Sequence, residues 1–357
     1  MLRVSFVLTA ITALVAFHTG GTADDVSEEA AQKSSLPVVA VRHIAMATDF
    51  ELIIYGNYED EDPEALREYG REAFAAVDRL EDEISIWRPG SAASRINRDA
   101  ETCPVKVPSD MITLLQESQK FYDLTGGVFD VTVGPLLELW GFYRKEGKLP
   151  GEAVLEKTLA SIGLKYVHLN REESTVFFER TGMRVDFGGI GKGMALDRAA
   201  AVLRHQGIKN ARLNGGSSTI IGLGAPPGKT GWTVDISSPY NSDAGSSFAT
   251  VTIKDEAMST SSASERYLEI DNVRYGHILD PRTGWPVANG VISATAIVPE
   301  GLASDALSTA FFVMGEEAVR TFCNIHKEVR CVLLVESGAE TKVLFFNFED
   351  EHVKETR

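Results

Sequence analysis

Val185–Leu196 reads VDFGGIGKGMAL, with four glycines, an acid and a lysine between an apolar run and a helix-like one. Glycines at a helix start leave backbone N–H groups open, and with the positive end of the helix dipole they favour an anion such as phosphate. Lys192 adds a compact positive charge there. Neither standard nucleotide loop is present. A Walker A loop, G-x-x-x-x-G-K-[ST], needs glycine where Asp186 stands and a hydroxyl where Gly193 stands. The dinucleotide fingerprint G-x-G-x-x-G, begun at Gly189 and Gly191, meets Met194 at its last position. A bare carboxylate repels phosphate, so Asp186 suits hydrogen bonding to a sugar or base N–H, or the organisation of a cation. A tight turn needing glycine for positive φ accounts for the same letters.

Two further stretches carry chemistry. GLASDALSTAFFVMG (Gly301–Gly315) spaces Asp305 and Thr309 four apart, which puts both oxygens on one face of a helix. A carboxylate and a hydroxyl are hard ligands suited to magnesium, with water and phosphate completing the shell. Capping by Asp305 and packing by Thr309 is the more ordinary use of this spacing. YGHILDPRTGWPV (Tyr275–Val287) places His277 on a strand that runs into the turn Asp280-Pro281-Arg282-Thr283-Gly284. His277 could act as a general base near neutral pH, although a lone histidine on a strand is more often structural. Asp280 and Arg282 read as a pair or cap for the turn. No one of the three stretches is decisive alone.

The elements that must position these residues follow from the apolar pattern. The later half of His43–Gly56 alternates as a strand does. Asp62-Pro63-Glu64 reads as a cap with proline at the first helical position. The helix it opens, to about Ile84, sets Leu66, Tyr69, Phe74, Val77 and Leu80 on roughly one face. Further helices are predicted from Ser109 to Leu124, stopped by Gly126-Gly127, and from Gly151 to Ile162. Short strands fit Tyr166–Leu169, Thr175–Glu179 and Arg184–Phe187. The glycine loop then opens a helix over Gly193–His205. Strands follow at Ala211–Leu213, Thr219–Leu223, Trp232–Ser237 and Phe248–Ile253. Arg266–Ile278 reads as a hairpin turning at Asp271-Asn272. A strand near Ile292–Val298 leads into a helix over Ala303–Met314, and two strands close the chain. This irregular alternation points to α+β rather than a doubly wound sheet.

Bulk properties narrow the partners. The 357 residues are 44% hydrophobic and 24% charged, an ordinary globular composition. Met1–Ala23 carries Arg3 as its one formal charge, then an apolar run and small residues, the pattern of a secretory signal peptide. Residues 24–35 read as a flexible linker and 36–350 as the folded domain, in an exported, periplasmic or envelope-associated protein. The net charge of −16 argues against nucleic acid or an anionic membrane as main partner. Cys103, Cys323 and Cys331 allow one disulfide at most, and no C-x-x-C or His/Cys metal spacing occurs, so zinc is not expected. Whether Cys323 and Cys331 pair, and whether the chain forms a homodimer, stays open.

In their order along the chain these stretches resemble the FAD:protein FMN transferases, the ApbE-type flavin transferases. The likeness runs from about Met46 to Val335. It is carried by MATDF (Met46–Phe50), SIWRPGSAASRIN (Ser85–Asn97), GGVFDVTVGPLLELWGF (Gly126–Phe142), VDFGGIGKGMALD (Val185–Asp197), LNGGSS (Leu213–Ser218), YGHILDPRTGWPV and ASDALSTAFFVMG. The segments FD-x-T-V-G-P and HILDPRTG-x-P are the most specific.

The resemblance implies a T-fold-like, two-lobed α+β flavin transferase domain that moves FMN from FAD to a threonine or serine hydroxyl of an acceptor flavoprotein, using Mg2+ and releasing AMP. It implies Asp305 and Thr309 as side-chain metal ligands and the Gly189 carbonyl as a third. Met46, Trp87, Val128, Phe129, Asp130, Asp186, Lys192, His277 and Ile278 would line the FAD site, with His277 as base. Two positions depart from the family pattern: Gly191 stands where alanine is common, and Ser217-Ser218 where many members carry an acid. A FAD pyrophosphatase, with water in place of the acceptor hydroxyl, would use the same site. A non-catalytic FAD-binding protein would not need the base.

Overall fold

Strand β2 (Thr48–Tyr55) shows why the molecule has a core on each side of its main sheet. Phe50, Leu52 and Ile54 enter one apolar cluster, while Ile53 and Tyr55 enter another, as the two-residue period of a strand requires. The computed structural model describes residues 35–237, 247–263, 266–338, 340–349 and 353–355. The expected signal peptide, and all of the linker except Ser35, lie outside these residues.

Eight strands form one antiparallel sheet in the order β1-β2-β6-β7-β10-β13-β14-β15. They are β1 (Val38–Ala45), β2, β6 (Asn210–Gly215), β7 (Thr219–Leu223), β10 (Glu256–Ser262), β13 (Val291–Val298), β14 (Arg330–Ser337) and β15 (Glu340–Phe346). Strand β13 is buried along its whole length, as a central strand covered on both faces must be. On one face lie the helices α1 (Pro63–Ile84), α3 (Ser109–Leu124), α6 (Gly191–His205) and α7 (Gly301–Met314), over the larger core. On the other, β8 (Trp232–Ser237) and β9 (Ser247–Ile253) bring Trp232, Val234 and Val251 against Ile53, Ile220 and Ile297. Strand β16 (Val353–Glu355) pairs with β9.

Smaller elements frame the site. Strands β3 (Val105–Lys106), β5 (Thr175–Phe178) and β4 (Val167–Asn170) make a three-stranded sheet, and β11 (Tyr267–Ile270) pairs with β12 (Val273–Gly276). A third cluster, Leu136, Trp140, Leu155, Ile162 and Leu279, joins α4 (Gly134–Trp140) and α5 (Glu152–Leu159) to the segment after β12. Helices α2 (Ala92–Asp99) and α8 (Glu316–Ile325) complete the set. Among the described residues no helix is long and apolar enough to cross a membrane.

The cap of α1 forms as its sequence predicts: Asp62 Oδ1 accepts from the Glu64 N–H at 2.9 Å, and Pro63 is the first helical residue. The β11–β12 hairpin turns at Asp271 and Asn272, with φ of 53° and 61°. The later half of His43–Gly56 is strand β2, as its alternation predicts, and its first residues end β1; Met46 and Ala47 make the turn between the two, with left-handed φ values of 50° and 57°. Two expectations change. Arg184–Phe187 is not a ladder strand, because its backbone bonds go elsewhere. The Val185 N–H donates to the Asn97 side chain and that of Asp186 to the Val131 carbonyl, and the one bridge pairs Arg184 with Val133. Helix α6 starts at Gly191, two residues before the expected point.

Candidate active site

Two helices cross at the centre of the site with nothing between their backbones. A Cβ on Gly193 would stand 2.0 Å from the Gly301 carbonyl oxygen, so only glycine fits at this crossing of α6 and α7. The approach is held by carboxylates on both sides. Asp197, one turn along α6, accepts from the Gly301 and Leu302 N–H groups at 2.7 and 2.8 Å and so caps α7. Burial pushes the Asp197 carboxyl up to about 6, against the pull of those two N–H groups. Asp305, one turn into α7, accepts from the Gly193 N–H at 2.6 Å. Its other oxygen accepts from Thr219 Oγ1 and Ser259 Oγ, each at 2.7 Å. Burial raises the Asp305 carboxyl, while the charge of Lys192 and these hydrogen bonds lower it.

The neighbouring turn repeats the pattern. Thr309 lies four residues after Asp305 and Ser261 two after Ser259, so a helix period and a strand period meet face to face. Ser261 Oγ is 3.2 Å from Thr309 Oγ1. The loop before α6 closes the group: a Cβ on Gly189 would lie 3.5 Å from Thr309 Oγ1 and 3.6 Å from the Phe129 ring. Asp305, Thr309, Gly189 and Phe129 are thus brought to one place. Its side-chain donors are a carboxylate and hydroxyls, hard oxygens of the kind magnesium takes. Among the described residues no group of three or more His, Cys, Asp or Glu side chains could hold a metal. An ion here would therefore depend on that single carboxylate together with neutral oxygens and its substrate.

Lys192, at the start of α6, donates to Ser218 Oγ, so the serine of the departing Ser217-Ser218 pair is the partner of the loop lysine. His277 is half-buried, and both its N–H and its Nδ1 approach the Arg266 carbonyl, at 3.0 and 3.1 Å. A carbonyl can only accept, so Nδ1 carries the proton and Nε2 keeps a free lone pair. Burial, then the charges of Arg266 and Lys192, hold the imidazole down at about 4. It is neutral at physiological pH and able to accept a proton. The turn beyond is architectural: Asp280 receives Arg282 Nε and Nη2 at 2.9 and 2.7 Å.

The remaining expected residues divide. Asp186 faces Tyr143, whose hydroxyl donates to Oδ2 at 2.8 Å, and its Oδ1 accepts from the Gly188 N–H at 2.8 Å. Trp87 is 66% exposed, and Met46 forms the β1–β2 turn while packing on the main core. Val128, Phe129 and Ile278 are buried in that core. The Asp130 side chain turns inward instead. It accepts from Thr132 N and Oγ1 at 2.7 and 2.6 Å and from Leu164 N at 3.2 Å, and burial pushes its carboxyl up to about 6. That side chain fastens the fold where it stands.

Several partners escaped sequence reading: Thr219, Ser218, Ser259, Ser261, Asn97 and Tyr143. For the two β10 serines a signal existed, since the stretch EAMSTSS ends in four consecutive hydroxyl residues and Ser259 and Ser261, two apart, share one strand face. For Asn97, whose amide accepts from and donates to Val185 at 2.7 and 2.9 Å, there was none beyond its place in a family landmark.

Comparison with known proteins agrees with this arrangement. A model of the ApbE family matches residues 46–333. The FAD:protein FMN transferase of Vibrio cholerae is 34% identical over 247 residues, spanning 68% of this chain and 72% of that protein. The FAD:protein FMN transferase of Escherichia coli K12 is 27% identical over 327 residues, 89% of this chain and 90% of its own. The crystal structure of the ApbE protein from Thermotoga maritima superposes with a TM-score of 0.77 at 30% identity, covering 87% of this chain and 97% of that one. His277 was expected on a strand, but β12 ends at Gly276 and His277 stands in the bend after it. Sequence landmarks, antiparallel sheet and the glycine loop beside the Asp305 helix converge on one conclusion: the chain belongs to the ApbE family.

Proposed function

We propose that this chain transfers FMN from FAD to a threonine or serine hydroxyl of an acceptor protein, with magnesium as the ion and AMP as the leaving product. One observation carries the reading. His277 is held neutral, with Nδ1 tied to the Arg266 carbonyl and Nε2 left as the accepting nitrogen, near enough to Lys192 to feel its charge. Storage of a flavin needs no such base.

In this reading the acceptor oxygen attacks the phosphorus attached to FMN, and the bond from that phosphorus to the AMP oxygen breaks. The hydroxyl proton passes to His277 Nε2. The negative diphosphate beside the imidazole raises its proton affinity from the low value of the free enzyme. Lys192 and the glycine-loop N–H groups stabilise charge on the phosphoryl oxygens. When bound, magnesium adds Lewis-acid stabilisation and in-line orientation, held by Asp305, Thr309 and the Gly189 carbonyl. The leader pattern at Met1–Ala23 supports an exported enzyme acting on an exported or membrane-bound acceptor, a point that fractionation of expressing cells tests.

The decisive experiment measures AMP release from FAD and magnesium with and without a candidate acceptor domain, and checks flavin fluorescence on a denaturing gel. Acceptor-dependent AMP with a fluorescent band is expected. Brisk AMP release without acceptor, and a dark band when acceptor is added, would replace the transferase with a FAD pyrophosphatase.

A further inference from the structure

Trp87 poses a question of its own. A tryptophan 66% exposed on a folded surface is an expensive use of a large apolar ring. The turn that carries it is fixed: the Trp87 N–H donates to Ser85 Oγ at 3.3 Å, Ser94 Oγ to the Ile86 carbonyl at 3.1 Å and Ser91 Oγ to that of Ser85 at 2.6 Å. The ring that meets the indole is Tyr143, edge-on, with centroids 5.2 Å apart and planes at 85°. The same Tyr143 donates its hydroxyl to Asp186 Oδ2 at 2.8 Å. One half-buried side chain therefore touches two residues that stand on separate loops.

We infer that Tyr143 is a positioning residue for the flavin end of FAD, setting the angle of the Trp87 ring and the direction of the Asp186 carboxylate. This rests on the reading that FAD occupies the site. The geometry leaves the open face of Trp87 for a planar ring, with Tyr143 buttressing the edge, a favoured aromatic arrangement. An ionised carboxylate has about four acceptor directions. Tyr143 and the Gly188 N–H use two of them, which leaves Asp186 able to accept from an N–H or O–H of the flavin portion. Burial and the charge of Asp186 push the phenol of Tyr143 up, so it remains a donor. Tyr143 is itself placed by α4. Trp140 is locked by Nε1 donating to the Gly284 carbonyl at 2.8 Å, and Gly141 turns the chain with φ of 85°.

The contribution is specific to one half of the substrate, and that makes it testable. Affinities of FAD and of ADP, which carries the adenosine and diphosphate without flavin, are measured by calorimetry for wild type, Tyr143→Phe and Tyr143→Ala. Tyr143→Phe keeps the ring and loses the bond to a charged acceptor, so FAD should bind roughly tenfold more weakly, with ADP changed less than about twofold. Tyr143→Ala should weaken FAD further. If Tyr143→Ala does not fold, the outcome rests on Tyr143→Phe. Unchanged FAD affinity in Tyr143→Phe, or equal weakening of FAD and ADP, overturns the inference. Failure of the wild type to bind FAD removes the functional reading, and this inference with it.

Discussion

Gly193→Ala is the sharpest probe of the crossing between α6 and α7. The new Cβ would stand 2.0 Å from the Gly301 carbonyl oxygen, 2.3 Å from its carbon and 2.7 Å from Leu302 N, where ordinary contacts begin at 3.4 Å. All three neighbours are backbone, so no side chain can swing aside. The helices must part by about 1.4 Å, which would stretch the Gly193–Asp305 bond from 2.6 Å to about 4 Å, outside hydrogen-bonding range. Overpacking costs about 1–3 kcal/mol, and a hydrogen bond to a charged group about 1.5–3 kcal/mol. Together they set a loss of about 2.5–6 kcal/mol, and a fall in Tm of about 6 °C for a chain of this size. Urea unfolding followed by far-UV circular dichroism measures it, with Gly151→Ala as control because no atom lies within 4 Å of its added methyl. AMP release should fall in parallel, since Asp305 is displaced. A Gly193→Ala protein within about 1 kcal/mol of wild type would refute the reasoning.

Asp305→Ala strands the Gly193 N–H and the Thr219 and Ser259 hydroxyls, so it should lose about 3 kcal/mol of stability as well as magnesium-dependent turnover; full activity across a magnesium titration would take Asp305 out of the centre. His277→Ala should bind FAD yet transfer flavin roughly 100-fold more slowly or worse, read as fluorescence gained by the acceptor, and an unchanged rate would dismiss the base. The pH dependence of stability follows from His277 as well. Its folded value near 4 lies below the ordinary 6.5, so the unfolded chain binds the extra proton between those values. That contribution is complete above about pH 6.5 and is lost as pH falls through 4. Asp130 and Asp197, raised to about 6, act in the opposite sense, losing their contribution as pH rises through 6, and they are common to both proteins compared. On going from pH 7 to pH 5 the urea midpoint of His277→Gln should therefore shift upward relative to that of wild type, and equal shifts in the two proteins would contradict the assignment.

What could be read beforehand was what neighbours in sequence decide. The cap of α1 and the Asp271-Asn272 turn are local chemistry, and each appears where the letters place it; α6 starts in the glycine loop as expected, though at Gly191, two residues early. The β1–β2 turn was hidden because Met46 and Ala47 adopt left-handed backbone without the usual glycine or asparagine. Strand β10 was hidden because its hydroxyls mimic a polar loop; they are polar because Asp305, from α7, needs donors inside the core. Arg184–Phe187 imitated a strand, but its N–H groups are claimed by Asn97 and Val131. The site divided in the same way. Asp305, Thr309 and His277 stood out by type and spacing, whereas Tyr143 and Asn97 matter through contacts that only the folded chain makes. Asp130 entered only through the family resemblance, and in the fold its side chain accepts from Thr132 and Leu164.

The two parts of the candidate site are rooted in different ground. The part bearing the glycine loop, Asp305 and Thr309 is built from α6, α7 and β10, all anchored in the large core. The segment after β12 that bears His277 is held from two sides, Ile278 packing in the large core and Leu279 in the small cluster around Trp140, whose ring also meets Tyr275 and Trp285 at 5.3 and 5.1 Å. Substitutions in that small cluster bear on the His277 segment while leaving the packing beneath the glycine loop untouched. For a transferase this separates two inheritances: a lineage can drift in whom it modifies and still keep, unaltered, the apparatus that grips what it gives away.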